Sequence, residues 1–170
     1  MEYGSERLEE VLLSGEIDLA ASLLPVSQEF EWQDIKNEPL VVLLSATHAL
    51  ARRKSIDLAS WRDFPFILFE TGFALNRIVL DACQRRGFTP TIAARRSQID
   101  FIVALATAGL GAAFLTRMIA EQRSQPGVCR VLLAEPQTDW HIAMIWRRGG
   151  YLSHPAKAWL ALARETRKRA

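Results

Sequence analysis

Residues 97–116, SQIDFIVALATAGLGAAFLT, constrain the fold more tightly than any other stretch of the chain. Ile99, Ile102, Val103, Leu105 and Ala106 recur at helical spacing and give one apolar face. Ser97 is the expected cap, because its hydroxyl can accept from an orphan amide of the first turn. Gly109 is the expected stop, since glycine takes the left-handed conformation at little cost. Ala112 to Leu115 is then wholly apolar, as in a parallel strand covered on both faces. A helix that opens beside a strand end is a place where anions and small ligands bind.

The rest of the chain repeats this grammar. Arg7–Ser14 reads as a helix capped by Ser5 and stopped by Gly15, with Leu8, Val11 and Leu12 inward, and Ile17–Ser22 as a strand. Trp32–Leu44 is one long extended piece interrupted at Pro39. Asp57–Trp61 is a short helix, Phe66–Phe69 a buried strand, Leu75–Arg86 a helix ended by Gly87, and Thr91–Arg95 a strand. After residue 116 come a helical turn (Arg117–Ala120), two strands (Cys129–Leu133 and His141–Trp146) and a terminal helix (Pro155–Lys168) with Trp159, Leu162 and Ala163 inward. The order predicts an α/β sandwich with mixed sheets. The long strand near Leu44 and the pair around Pro136 read as crossovers between two lobes, which implies a cleft, and clefts bind small molecules.

Composition narrows the function. A net charge of +2 over 170 residues is too near neutral to argue for nucleic-acid binding by these residues alone. The two cysteines, Cys83 and Cys129, show no CxxC pairing and read as reduced and structural. No apolar run approaches a membrane span, and the acidic, polar start MEYGSERLEE does not read as a secretory signal. A cytoplasmic protein with no membrane partner is expected.

Catalytic and cofactor motifs are missing. His48, His141 and His154 have no ligand spacing to another His, Cys or carboxylate, and His48 reads as a turn residue. Gly109-Leu110-Gly111 follows a helix instead of opening one, so it fails as a dinucleotide fingerprint. There is no GxSxG and no phosphate-binding loop. The reading is therefore no enzyme, no metal and no cofactor. Small polar groups remain at three junctions: Ser45 and Thr47, Thr71 and Gly72, Ser97 and Gln98. In a parallel sheet these fall on one edge, where hydroxyls and helix-start amides make a socket for a carboxylate or another anion.

Four segments, LLSGEIDLAAS (Leu12–Ser22), EPLVVLLSATHALA (Glu38–Ala51), FPFILFETGF (Phe64–Phe73) and GLGAAFLTRMIA (Gly109–Ala120), stand in an order and at intervals that resemble the effector-binding domain of LysR-type transcriptional regulators. The resemblance covers almost the whole chain. It implies two Rossmann-like subdomains joined by crossover strands, as in periplasmic solute-binding proteins: residues 1–64 with 140–170, and residues 65–139. It implies a small effector in the inter-lobe cleft, touching Ser45, Thr47, Glu70, Thr71, Gly72, Phe73, Ser97 and Gln98. DNA would be bound only through a winged helix-turn-helix that is not in this sequence. A solute-binding protein and an enzyme on the same scaffold are the alternatives.

Two departures from the family pattern matter. The first strand and helix of the first subdomain are absent, which would leave an open edge on Ile17–Ser22 and favour a homo-oligomer. Glu70 stands where a neutral hydroxyl is frequent. Its carboxylate would repel an anionic effector, so an amine-bearing or neutral effector, such as an amino acid, enters beside a carboxylate; Arg95 and Arg96 could offset the repulsion.

Overall fold

The computed structural model describes residues 5–169. The chain divides into two compact units, one running up to Asn37 and resuming at His141, the other Glu38–Trp140.

In the first unit, helix α1 (Ser5–Ser14) and strands β1 (Ala20–Leu23) and β2 (Phe30–Glu38) precede the crossing, and β9 (Trp140–Arg147) and α5 (His154–Arg169) follow the return. The sheet order is β1-β9-β2, with β1 and β9 antiparallel. Val11 and Leu12 of α1 are buried as expected. Leu12 packs with Phe30, Ala143 and Ile145 in a small core. Ser5 is the first helical residue and not a cap in front of it. In α5 the expected inward face is wrong. Ala156 and Leu160 are buried, whereas Trp159 is 62% and Leu162 53% exposed. Gln33 fixes this rotation by donating to the Leu160 carbonyl at 2.9 Å.

The second unit holds β3 (Leu40–Ser45), β4 (Ser55–Ile56), a 3-10 turn (Leu58–Trp61), β5 (Phe66–Phe69), α2 (Ala74–Arg85), β6 (Ile92–Arg96), α3 (Ile99–Thr107), β7 (Ala112–Thr116), α4 (Arg117–Gln122) and β8 (Val128–Leu133). Its six strands order as β4-β8-β3-β7-β5-β6. β3 and β7 are buried along nearly their whole length, as are the inner residues of α2 and α3.

Pro39 separates β2 from β3, so the long extended piece is two strands in two different sheets. Proline lacks the N–H that a continuous ladder needs. This moves the boundary between the units from the expected 64/65 to 37/38, because β3 pairs with β7 and β8 of the second unit.

Helix ends follow the glycines. Gly109 sits at φ +80, its N–H donates to Ala106 and that of Leu110 to Leu105, which closes the last carbonyls of α3 in a six-to-one, five-to-two pair. Gly87 with Phe88 closes α2 in the same way, and Gly15 with Glu16 closes α1.

Candidate functional site

Strand direction decides which junctions share an edge. β5 is parallel to both β6 and β7, whereas β3 is antiparallel to β7. The residues after β5 and β6, Glu70–Phe73 and Ser97–Gln98, therefore lie on one edge of the sheet. Ser45 and Thr47, after β3, lie on the opposite edge. The expectation that all three junctions line one rim is corrected on this point. Ser45 and Thr47 instead close their own turn: their hydroxyls are 2.9 Å apart, and Ser45 Oγ accepts the Thr47 N–H at 3.4 Å. His48 is a turn residue as expected, its Nδ1 accepting the Leu50 N–H at 3.1 Å.

The remaining rim is built on main chain. Glu70 N–H donates to the Arg96 carbonyl at 3.2 Å, which ties the loop after β5 to the end of β6. Asn76, on the first turn of α2 and only 6% exposed, anchors that loop from below. Its Oδ1 accepts the Phe69 N–H at 3.0 Å, and its Nδ2 donates to the Phe69 and Glu70 carbonyls, each at 2.8 Å. Arg95 adds a donor to the same Phe69 carbonyl at 3.2 Å, and an Arg96 guanidinium nitrogen donates to the Arg95 carbonyl at 2.6 Å.

Above this frame Glu70, Thr71, Gly72, Phe73, Ser97 and Gln98 are all exposed. Gly72 adopts φ +95, a backbone that side chains resist, and so lets the chain turn into α2. The Phe73 ring stacks on Phe69 at 4.9 Å and 17° and stays 43% exposed. It offers a flat, half-exposed apolar surface.

Neither helix that starts here is closed by a side chain. Phe73 is the N-cap of α2 and Gln98 that of α3, and neither makes a side-chain cap bond. Ser97 is thus not the cap it was expected to be: it lies one residue before the cap position. The first-turn amides carry partial positive charge and give the edge a mild preference for anions. Among the described residues no group of His, Cys, Asp and Glu is placed to hold a metal.

Two anchoring residues escaped the sequence reading. Asn76 had a signal: it shares the buried stripe of α2 with Val79 and Cys83, and a polar residue there needs partners. Glu135 had none. Its side chain is 3% exposed and pairs with Arg86 at 2.9 Å, while its other oxygen accepts the Leu58 N–H at 3.3 Å.

The family described as the LysR substrate binding domain matches residues 1–168. The chain belongs to that family. It is 34% identical over 161 residues to the HTH-type transcriptional regulator YwbI of Bacillus subtilis, covering 94% of this chain and 54% of that protein. It thus spans about half the length of this curated relative. The C-terminal domain of a probable LysR family transcriptional regulator from Rhodococcus sp. RHA1 superposes with a TM-score of 0.74 at 25% identity, over 95% of this chain and 81% of that domain. The BenM effector binding domain, solved with its effector benzoate, superposes at 0.72 with 24% identity, over 91% of this chain and 71% of that domain. The mixed α/β fold with two units is that of a LysR substrate-binding domain.

Proposed function

We propose that this chain is the effector-sensing part of a LysR-type regulator. A small carboxylate or amino acid binds at the rim formed by Glu70–Phe73 with Ser97 and Gln98. Binding there alters how a DNA-binding segment elsewhere in the longer protein grips its promoter. The observation that carries this reading is the tie between the two loops through Glu70 and the Arg96 carbonyl, in a chain matched to the family along nearly all its length.

The chemistry of the rim supports the ligand class. Uncapped first-turn amides and two arginines favour a carboxylate. The exposed Phe73 ring accepts a flat apolar body, a shape that benzoate, the effector of the BenM domain, also has. Glu70 disfavours a second negative charge and welcomes an amine. The preferred ligand is therefore a monocarboxylate or an amino acid, and the rim acts by binding and not by catalysis. A regulator of this kind works in the cytoplasm as a homo-oligomer.

A thermal-shift titration with benzoate, the amino acids and a panel of small monocarboxylates tests the proposal. At least one should raise the melting temperature in a dose-dependent way, since a ligand at 100 times its Kd adds about 2.7 kcal/mol. Ser97→Ala should weaken that ligand by roughly 1 kcal/mol, the size of one neutral hydrogen bond. A flat response across the whole panel, or an affinity indifferent to Ser97→Ala and to Phe73→Ala, overturns the site.

A further inference from the structure

β5 outruns one of its two neighbours. Its register with β7 ends at Ile67↔Ala113, whereas β6 accompanies it to Phe69↔Arg96. The Phe66 and Glu70 N–H groups donate to Thr91 and Arg96 on the β6 side, so by alternation the main chain of Phe69 faces the side that β7 has left. The Asn76 side chain meets it there. Oδ1 accepts the Phe69 N–H at 3.0 Å, and Nδ2 donates to the Phe69 carbonyl at 2.8 Å. The carboxamide pairs with the strand end as the peptide of a further strand would.

The second Nδ2 hydrogen goes to the Glu70 carbonyl, also at 2.8 Å. The Asn76 main-chain N–H donates to the Phe73 carbonyl at 3.1 Å. One residue therefore grips the loop Glu70–Phe73 at both ends. A carboxamide offers an acceptor oxygen and two donor hydrogens, and here all three are used. Other groups replace it only in part. Arg95 backs the Phe69 carbonyl at 3.2 Å, and the Phe73 N–H reaches the Glu70 carbonyl at a long 3.5 Å, but neither serves the Phe69 N–H.

We infer, on the effector reading of this rim, that Asn76 is its positioning residue. It sets how the Glu70 carboxylate stands relative to the Phe73 ring, and so which flat ligands the rim accepts, without touching one itself. The Phe73 ring lies on the Phe69 ring at 4.9 Å. Asn76 holds the main chain under both rings: it pairs with Phe69 from the side chain and with the Phe73 carbonyl from the backbone. A loop fixed in its binding geometry before a ligand arrives avoids the ordering cost of binding.

Asn76→Asp keeps the shape and the acceptor but retains at most one donor hydrogen. Val79→Ala, on the same buried stripe of α2, lowers stability through a cavity and leaves the amide in place. NMR of the chain without added ligand separates the two. In the wild type the Phe69 ring should shift the Phe73 ring protons upfield, and the Asn76 Nδ2 protons should exchange slowly. Asn76→Asp should move the Phe73 shifts toward those of free phenylalanine. It should also speed exchange of the Glu70 N–H, whose acceptor is the Arg96 carbonyl, at least about tenfold by local opening. Val79→Ala should do neither. Benzoate is the ligand probe: where the wild type binds it, Asn76→Asp should weaken it about tenfold and Val79→Ala hardly at all. Fast-exchanging Nδ2 protons in the wild type overturn the inference even if no variant folds. Phe73 shifts, or a benzoate Kd, that Asn76→Asp leaves at wild-type values overturn it too. A wild type indifferent to benzoate removes benzoate from the effector reading, and Asn76 is then decided on the ring shifts alone.

Discussion

Cys83 lies on the inner face of α2 with no exposed surface. Burial pushes its thiol up from 9.0 to about 11, only partly opposed by a backbone hydrogen bond. The folded chain therefore holds this proton after the unfolded chain has released it. The resulting contribution to stability is complete below pH 9.0 and is lost as pH rises toward about 11. Denaturation midpoints should fall across that window, by on the order of 2 kcal/mol in total for a shift of this size. Cys83→Ala should be less stable at neutral pH but should lack this part of the slope. An equal slope in the variant refutes the assignment. Cys129 is half-buried, so a thiol reagent should label it in the native chain well before Cys83. Asn76 makes a second claim at this scale. Asn76→Ala would strand the Phe69 N–H and relieve two carbonyls of their donor, at a cost of about 2–4 kcal/mol by urea denaturation. A loss under about 0.5 kcal/mol would mean that the loop after β5 is held by something else.

Glycines at element ends divide into two kinds, and substitution should separate them. Gly72 has open space around its Cβ position but φ +95, so Gly72→Ala costs only backbone strain, about 1 kcal/mol. Gly111 has no positive φ, yet an added Cβ would lie 2.5 Å from the Pro65 carbonyl oxygen. That carbonyl accepts the Ala112 N–H at 2.8 Å and starts the pairing of β7 with β5. Gly111→Ala must push the two strands apart and should cost upward of about 3 kcal/mol, seen as a larger drop in melting temperature than Gly72→Ala gives. The reverse order would show that the strands yield more easily than the turn.

This contrast also explains what the sequence could disclose. Helix ends are local events, and Gly15, Gly87 and Gly109 announced all three. Strand direction is not local. LVVLL in β3 and AAFLT in β7 are equally apolar whether their neighbours run with them or against them. Ser45 and Thr47 therefore looked equivalent to Thr71 and Ser97 until the antiparallel pairing of β3 put them on the other edge. The inward face of α5 failed for a related reason. Trp159, Leu162 and Ala163 are larger as a set than Ala156 and Leu160, but Gln33 and the small sheet set the rotation.

At the scale of the whole molecule the two units are unequal. The second has a mixed six-stranded sheet in which β8, β3, β7 and β5 are each paired on both sides, with β3 and β7 at its centre. Its core includes Trp61, Phe66, Phe114 and the whole of β3 from Leu40 to Leu44. The first rests on three strands and a core of Leu12, Phe30, Ala143 and Ile145 with half-buried surroundings. Less apolar surface is buried per residue there, so local opening should cost less. Native-state amide exchange in increasing urea should release β1, β2 and α1 first and β3 and β7 last. The costs of Asn76→Ala and Gly111→Ala, both in the second unit, should then fall on the later transition and leave the earlier one in place. Cys83→Ala belongs with them. If every amide merges into one isotherm, and those substitutions shift exchange of β1 as much as that of β7, the two units unfold as one and a single free energy describes the chain.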